Sequence, residues 1–141
     1  MLKENKLKIL LALAVFAFAT IVYYITMAPT VSFWDCGELA ASTYILGNPH
    51  PPGNPIYFLL GRVFMLAGFF HDAVLNTNIL SVLCTSLMVM MSFLFTEKFL
   101  NLVLGDKISR FIRYCGAIIA ALLVTLSDTV WFSAVETERH G

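Results

Sequence analysis

Residues 29–55 read PTVSFWDCGELAASTYILGNPHPPGNP and separate two strongly apolar parts of the chain. This stretch has no lysine or arginine, but it carries two acids, Asp35 and Glu38, and one histidine, His50. It ends in four prolines grouped around Gly53. Such a segment is too polar to cross a bilayer and too apolar to extend freely into water. It therefore predicts a loop that lies against a membrane surface.

The composition of the whole chain supports a membrane protein. Hydrophobic residues make up 59% of the 141 positions and charged residues only 13%, with a mean hydropathy of +0.81. A soluble domain has about a quarter charged residues. The net charge of zero argues neither for nor against nucleic-acid binding, but no basic stripe with interleaved aromatic residues occurs, so we do not expect a nucleic-acid partner.

Several classes of site lack their sequence signatures. The three cysteines, Cys36, Cys84 and Cys115, are widely spaced and odd in number, so they predict neither a disulfide framework nor a CxxC metal site. The chain also has no GxGxxG, Walker A, HExxH or GxSxG pattern. Soluble-nucleotide enzymes, metalloproteases and α/β-hydrolases are therefore not indicated.

Apolar runs occur at 9–25, 56–70, 79–95 and 111–126. The first run follows three lysines and approaches the ~30 Å thickness of the hydrocarbon core. A cleaved signal peptide is the alternative interpretation of this run, but Pro29 directly follows its candidate cleavage site, and further apolar runs come later. We expect an uncleaved membrane helix with its lysines in the cytoplasm.

The last two runs predict clear membrane helices. Residues 79–95 carry no charge, and residues 111–126 have Arg113 near their start, where the side chain can reach the membrane surface. The latter run also has a face of small residues that suits close helix packing. This face consists of Gly116, Ala117, Ala120 and Ala121.

Residues 56–70 are short for a span and have Arg62 near their middle. If they cross the membrane, four basic residues fall on each side. If they lie along the outer surface instead, seven basic residues fall inside and two outside. Because positive charge collects in short cytoplasmic loops, the second arrangement is favoured. We therefore expect an all-α integral membrane protein with three transmembrane helices and one external interfacial helix.

This topology divides the chain into four segments: a first membrane helix at 1–27, an external loop at 28–78, a helical hairpin at 79–127, and the start of a second external loop at 128–141. It places the main acidic and histidine side chains together on the outer face. These residues are Asp35, Glu38, His50, Glu136 and Glu138.

The first acidic pair is a candidate catalytic site. With Ser32 as helix N-cap, Asp35 and Glu38 would stand three positions apart on one helix face. The alternative is that Asp35 merely caps a short surface helix. Because Phe33 and Trp34 precede Asp35 at a membrane surface, the acids would be partly desolvated, which favours a general base.

The other candidate residues have simpler alternatives. His50 lies in GNPHPPGNP, which is either a plain linker or a stiff arm that presents the histidine to a phosphate or sugar. Glu136 and Glu138 could hold a metal, bind substrate or face water. Two acidic side chains do not by themselves support a metal site.

Two segments together resemble one protein family. They are PTVSFWDCGELAASTYILGNPHPPGNPIYFLLGRVF at 29–64 and WFSAVETE at 131–138. Their shared pattern is a Phe-Trp-Asp-x-Gly-Glu block, then His-Pro-Pro-Gly, then Trp-Phe-Ser-Ala-Val-Glu. The chain resembles a multi-spanning family that is widespread in Bacteroidetes and has long been a domain of unknown function. Its animal relatives are transmembrane O-mannosyltransferases that act on plexin-type receptor ectodomains.

The resemblance implies the N-terminal part of a GT-C glycosyltransferase in a bacterial inner membrane. Such an enzyme takes a mannose-like sugar from a polyprenyl-phosphate donor at the outer leaflet and needs no further cofactor. Asp35 then matches the family's loop aspartate and Glu38 its nearby glutamate, as the catalytic pair. Family members are several times longer, so we expect an N-terminal fragment that is inactive alone.

The remaining site residues would bind substrate. His50 matches the histidine of the family's His-Pro-Pro motif, and Glu136 and Glu138 match its second acidic motif. His50 or Arg62 could stabilise the departing lipid phosphate, while a protein hydroxyl accepts the sugar. The alternative is a non-enzymatic transport or assembly subunit, but a transporter would keep its ionisable residues within the spans.

Overall fold

The structure, a computed structural model, describes residues 2–30, 36–47, 55–68 and 72–135. All regular structure within these ranges is helical, which confirms the all-α prediction. In chain order the helices are α1 (Leu2–Thr26), α2 (Cys36–Ile45), α3 (Pro55–Ala67), α4 (Ala73–Leu104), α5 (Arg110–Thr125) and α6 (Asp128–Val135). A short 3-10 turn at Gly105–Lys107 joins α4 to α5.

Two helices are long and apolar enough to cross a membrane. Lys6–Thr26 of α1 has 21 residues with a mean hydropathy of 2.3, and α4 has 32 residues with a mean hydropathy of 2.1. At ~1.5 Å per residue, even the 21-residue segment extends about 32 Å, which matches the hydrocarbon core. Helix α4 extends beyond the apolar run at 79–95 on both sides. Asp72 caps its start, because its Oδ1 accepts a hydrogen bond from the N–H of Val74 at 2.8 Å.

A third span is formed only if α5 and α6 act together. Helix α5 has 16 residues and α6 has 8, and they are bent by 63° at the short break between them. Helix α5 corresponds to the predicted span at 111–126. The described residues therefore contain two membrane spans, or three if the bent pair crosses as one.

Helices α1 and α4 run antiparallel. Near the start of α1, the ammonium of Lys8 lies 3.7 Å from the carboxylate of Glu97, in the second half of α4. Just after α1, the carbonyl of Ala28 accepts a hydrogen bond from Asn78 Nδ2, in the second turn of α4, at 3.1 Å. We call the Lys8–Glu97 side of the bundle the basic end and the Ala28–Asn78 side the loop end.

This antiparallel packing bears on the topology. The chain leaves α1 and enters α4 at the same end, so the part between them crosses the membrane either twice or not at all. Helix α3 has 13 residues, about 20 Å, and α2 only 10, so neither reaches across the ~30 Å core. Because a four-span chain would need α1 and α4 to be parallel, the packing agrees with the arrangement in which 56–70 does not cross.

The predicted small-residue face of α5 is confirmed as a packing surface. Ala117 and Ala121 are fully buried. A side-chain carbon on Gly116 would lie 3.3 Å from Leu100 Cδ1 of α4, so the Leu100 side chain packs closely over this glycine. Small residues at this spacing allow membrane helices to pack by close van der Waals contact.

The side chain of Arg113 lies elsewhere than predicted. It is only 6% exposed, and it donates hydrogen bonds to Asn101 Oδ1 and, at 3.5 Å, to the carbonyl of Gly105. A cation is favourable near the C-terminus of a helix, and the Arg113 guanidinium is buried against the end of α4. Within the described ranges, Nε of Arg113 meets no acceptor.

Candidate functional site at the loop end

Two of the predicted site residues lie within the described residues. Glu38 is exposed in the first turn of α2, where a negative charge complements the positive helix N-terminus. Arg62 is partly buried in the middle of α3. The other predicted site residues lie outside the described residues. They are Asp35, His50, Glu136 and Glu138.

The guanidinium of Arg62 joins α3 to α2. Its Nη1 donates a hydrogen bond to the carbonyl of Tyr44, and its centre lies 5.7 Å from the centroid of the Tyr44 ring. Tyr44 belongs to the last turn of α2, where carbonyls lack intrahelical partners and a cation is favoured. A guanidinium has several N–H donors, so Arg62 can hold this hairpin and still bind a phosphate.

Helices α2 and α3 pack closely where Gly61 faces Thr43. A side-chain carbon on Gly61 would lie 2.5 Å from Thr43 Cγ2, which is too close for any other residue without a shift. The hydroxyl of Thr43 donates to the carbonyl of Leu39 at 2.6 Å, within α2. This contact sets how near the Glu38 helix lies to the Arg62 helix.

Ala28 lies at a junction of three helices. Its N–H donates to the carbonyl of Val135, the last residue of α6, at 3.0 Å. Its carbonyl accepts from Asn78 of α4 at 3.1 Å. Asn78 is 2% exposed and Val135 is also buried, whereas Ala28 itself is partly buried. We call these three residues the Ala28 junction.

The junction relates the two predicted acidic segments. Pro29, the first residue of the 29–55 stretch, directly follows Ala28, and Glu136 directly follows Val135. The hydrogen bond from Ala28 to Val135 therefore brings the starting points of both segments together. Cys36, which follows Asp35 in the sequence, is 2% exposed at the start of α2. Residues far apart in the sequence thus meet at the loop end.

Aromatic packing supports the junction from within the bundle. The hydroxyl of Tyr23 in α1 donates to the carbonyl of Thr125, at the end of α5, at 3.0 Å. The Tyr23 ring meets the Trp131 ring of α6 edge to face, with centroids 5.9 Å apart and planes at 88°. Tyr23 is fully buried and contacts a residue on each side of the 63° bend, Thr125 before it and Trp131 after it. These two contacts hold α6 against α1.

Asn78 was not among the site residues predicted from the sequence. The external loop was predicted to extend to residue 78, which assigned the polar triplet of Asn76, Thr77 and Asn78 to the loop. In the structure this triplet is almost completely buried inside α4. The sequence does contain a signal for the earlier start of α4. An aspartate shortly before an apolar run, here Asp72, is typical of a helix N-cap.

Within the described residues, no group of three or more histidine, cysteine, aspartate or glutamate side chains could hold a metal ion. The described groups at the loop end include hydrogen-bond donors, the exposed carboxylate of Glu38 and the guanidinium of Arg62. They can bind and orient a charged or hydroxyl-bearing substrate.

Comparison with known protein families defines the relationship. Residues 35–141 match the family described as the Protein O-mannosyl-transferase TMEM260 N-terminal domain. The chain belongs to this family. The match begins at Asp35 and includes every predicted site residue, together with the whole hairpin of α2 and α3 and the three helices that follow.

Individual relatives agree with this assignment. The chain is 29% identical over 133 residues to Protein O-mannosyl-transferase tmem260 of Dictyostelium discoideum, covering 87% of this chain and 14% of the relative. It is 28% identical over 127 residues to Protein O-mannosyl-transferase TMEM260 of Mus musculus, covering 90% of this chain and 16% of the relative. The chain thus spans about a seventh of the length of these relatives. No solved structure matches it.

Proposed function

We propose that the protein is a membrane glycosyltransferase of the GT-C type that transfers a mannose-like sugar from a polyprenyl-phosphate donor to a hydroxyl group of a protein. The single observation that supports this most is the Ala28 junction. It joins the starts of the two acidic segments at one end of a membrane helix bundle, in a chain whose family members are named O-mannosyl-transferases.

Each site residue has a role in this proposal. Asp35 takes the proton of the acceptor serine or threonine hydroxyl as its oxygen bonds to the anomeric carbon, and Glu38 supports Asp35. The bond from that carbon to the phosphate oxygen breaks, and polyprenyl phosphate leaves. His50 and Arg62 stabilise the charge on the phosphate. Glu136 and Glu138, which follow Val135 in the sequence, bind the substrate.

We place the loop end at the outer face and the N-terminus in the cytoplasm. The bias of basic residues supports this orientation, since seven of the nine then lie inside. A donor held by a lipid would reach the loop end from the outer leaflet. This also accounts for a chain without a nucleotide-binding motif.

A transport function finds less support in the described residues. A transporter is expected to line a path with ionisable side chains within its spans. The buried carboxylate of Glu97 is instead paired with Lys8, at the basic end and far along α4 from the junction. This pair ties two helices together.

The test measures sugar transfer by the full-length protein, with mannosyl phosphoryl polyprenol as donor and a protein ectodomain as acceptor. Asp35→Asn keeps the size and polarity of the side chain but removes the base, so turnover should fall by roughly 10²–10⁴-fold. If Asp35 is only a helix cap, the change should have little effect, because asparagine caps equally well.

Asp72→Asn is the matched control. Asp72 is the observed N-cap of α4, and its exposed side chain bonds to the backbone of Val74. Its replacement should leave both folding and turnover nearly unchanged. A full-length protein that transfers no sugar from such donors, or an Asp35→Asn variant as active as Asp72→Asn, would contradict the proposal.

A further inference from the structure

Asn78 makes a hydrogen bond of a different kind from that of its buried neighbour Thr77. Thr77 is fully buried, and its hydroxyl donates to carbonyls of the same helix, Val74 at 2.9 Å and Ala73 at 3.3 Å. Asn78 instead donates across the bundle to Ala28, which lies 50 positions earlier in the chain. Burying an amide in a membrane helix costs free energy unless the amide is hydrogen-bonded.

The geometry at Ala28 transmits this contact into the acidic segment. Ala28 is held on both sides, through its N–H by Val135 and through its carbonyl by Asn78. The next residue is Pro29, whose ring fixes its own φ angle and restricts the residue before it to extended conformations. With Ala28 held and Pro29 stiff, the backbone is fixed at the junction, a short distance before Asp35 in the sequence.

We propose that Asn78 is a positioning residue for the sugar-transfer reaction. It does not touch the substrate; by holding the carbonyl of Ala28 it orients the segment that leads to Asp35 relative to the segment that starts with Glu136. This inference rests on the proposed function. It adds a residue in a membrane helix to a site that otherwise consists of loop and surface-helix residues.

The energetic consequence follows from the cost of misplacing a catalytic group. A displacement of about 1 Å at the reacting atoms lowers the rate by about 10²-fold. Asn78→Leu keeps the branched shape and the number of side-chain heavy atoms but has no donor, so it frees the carbonyl of Ala28. We expect kcat to fall by about 10²-fold and the KM for the donor to change by less than about threefold, because the donor-binding groups remain in place.

The experiment uses the full-length protein with mannosyl phosphoryl polyprenol as donor, and compares three variants. Asn78→Leu removes the bond, Asn78→Gln keeps an amide donor that is one methylene longer, and Thr77→Val removes a neighbouring buried hydroxyl that bonds only within its own helix. We expect Asn78→Gln to recover part of the lost kcat and Thr77→Val to stay within about twofold of wild type.

A second readout does not depend on activity. Ser32→Cys is placed in the acidic segment of each variant, and its reaction with a membrane-impermeant maleimide is timed in sealed vesicles. The same protein without Ser32→Cys gives the background from the native cysteines. Removal of the Asn78 bond should speed up labelling at position 32, while Thr77→Val should not.

The outcomes separate the two proposals. Equal losses of kcat in Asn78→Leu and Thr77→Val, or unchanged labelling in Asn78→Leu, would overturn the role of Asn78. If wild-type protein transfers no sugar, the proposed function fails, and the labelling rates still decide whether Asn78 holds the segment. If Asn78→Leu does not accumulate, Asn78→Gln carries the test, with faster labelling and a kcat lowered about tenfold as the expected result.

Discussion

Replacing Gly61 with alanine should destabilise the packing of α2 against α3. The structure gives the size of this destabilisation and a second substitution that should compensate for it. The new methyl group would lie 2.5 Å from Thr43 Cγ2, where two carbons normally stay ~3.5–4 Å apart. Either one of the helices moves by about 1 Å, or the Thr43 side chain rotates and loses its hydrogen bond to Leu39. Overpacking of this kind costs about 1–3 kcal/mol, while alanine gains about 1 kcal/mol in helix propensity over glycine. The net destabilisation should be about 0–2 kcal/mol.

The compensating change is Thr43→Ser. It deletes Cγ2 and keeps the hydroxyl that donates to Leu39. The nearest remaining atoms of residue 43, its Cβ and Oγ1, would lie 3.6 Å from the new methyl group, an ordinary contact. In the double variant the clash is gone and the propensity gain of about 1 kcal/mol remains. The hairpin should then be at least as stable as when it carries Thr43→Ser alone.

Hydrogen exchange of the α2 and α3 amides is the suitable assay, because it reports the free energy of local opening rather than global unfolding. Gly61→Ala should exchange faster in both helices, and the double variant should recover protection. Gly116→Ala is the matched control, since the nearest atom there is the end of the flexible Leu100 side chain at 3.3 Å. Slower exchange in Gly61→Ala than in the wild type, or a double variant no better protected than Gly61→Ala, would refute this account of the hairpin.

Three further predictions concern the bundle and its orientation. Tyr23→Phe leaves the carbonyl of Thr125 without its donor, so the free energy of unfolding in detergent should fall by about 1–2 kcal/mol; unchanged stability would refute the role of this bond. Lys8→Ala leaves the buried Glu97 carboxylate without Lys8 and should lower the free energy of unfolding by about 1–3 kcal/mol, a value discounted because Lys8 is about a third exposed. Adding Glu97→Leu to Lys8→Ala should recover most of this loss in the same assay. Thr30 and Lys107 are exposed at opposite ends of the bundle. An impermeant thiol reagent at the outer face should label Thr30→Cys and not Lys107→Cys; the reverse pattern would contradict the proposed orientation.

Much of the fold follows from local sequence features. The apolar runs predict the membrane helices because a bilayer leaves a backbone no partners other than those within its own helix. The short run with Arg62 was predicted not to cross, and the antiparallel packing of α1 and α4 agrees with that. The motif blocks likewise indicated the family that the comparisons show.

The tertiary structure decided what depends on contacts between distant residues. Nothing in the sequence pairs Ala28 with Val135, places Asn78 against Ala28, or directs Arg113 to the end of α4. Local hydropathy says whether a segment is buried, but a hydrogen bond across the bundle depends on how the helices cross. The sequence by itself therefore determined the membrane helices and the candidate residues, whereas only the packed bundle decided that the two acidic segments start from one junction.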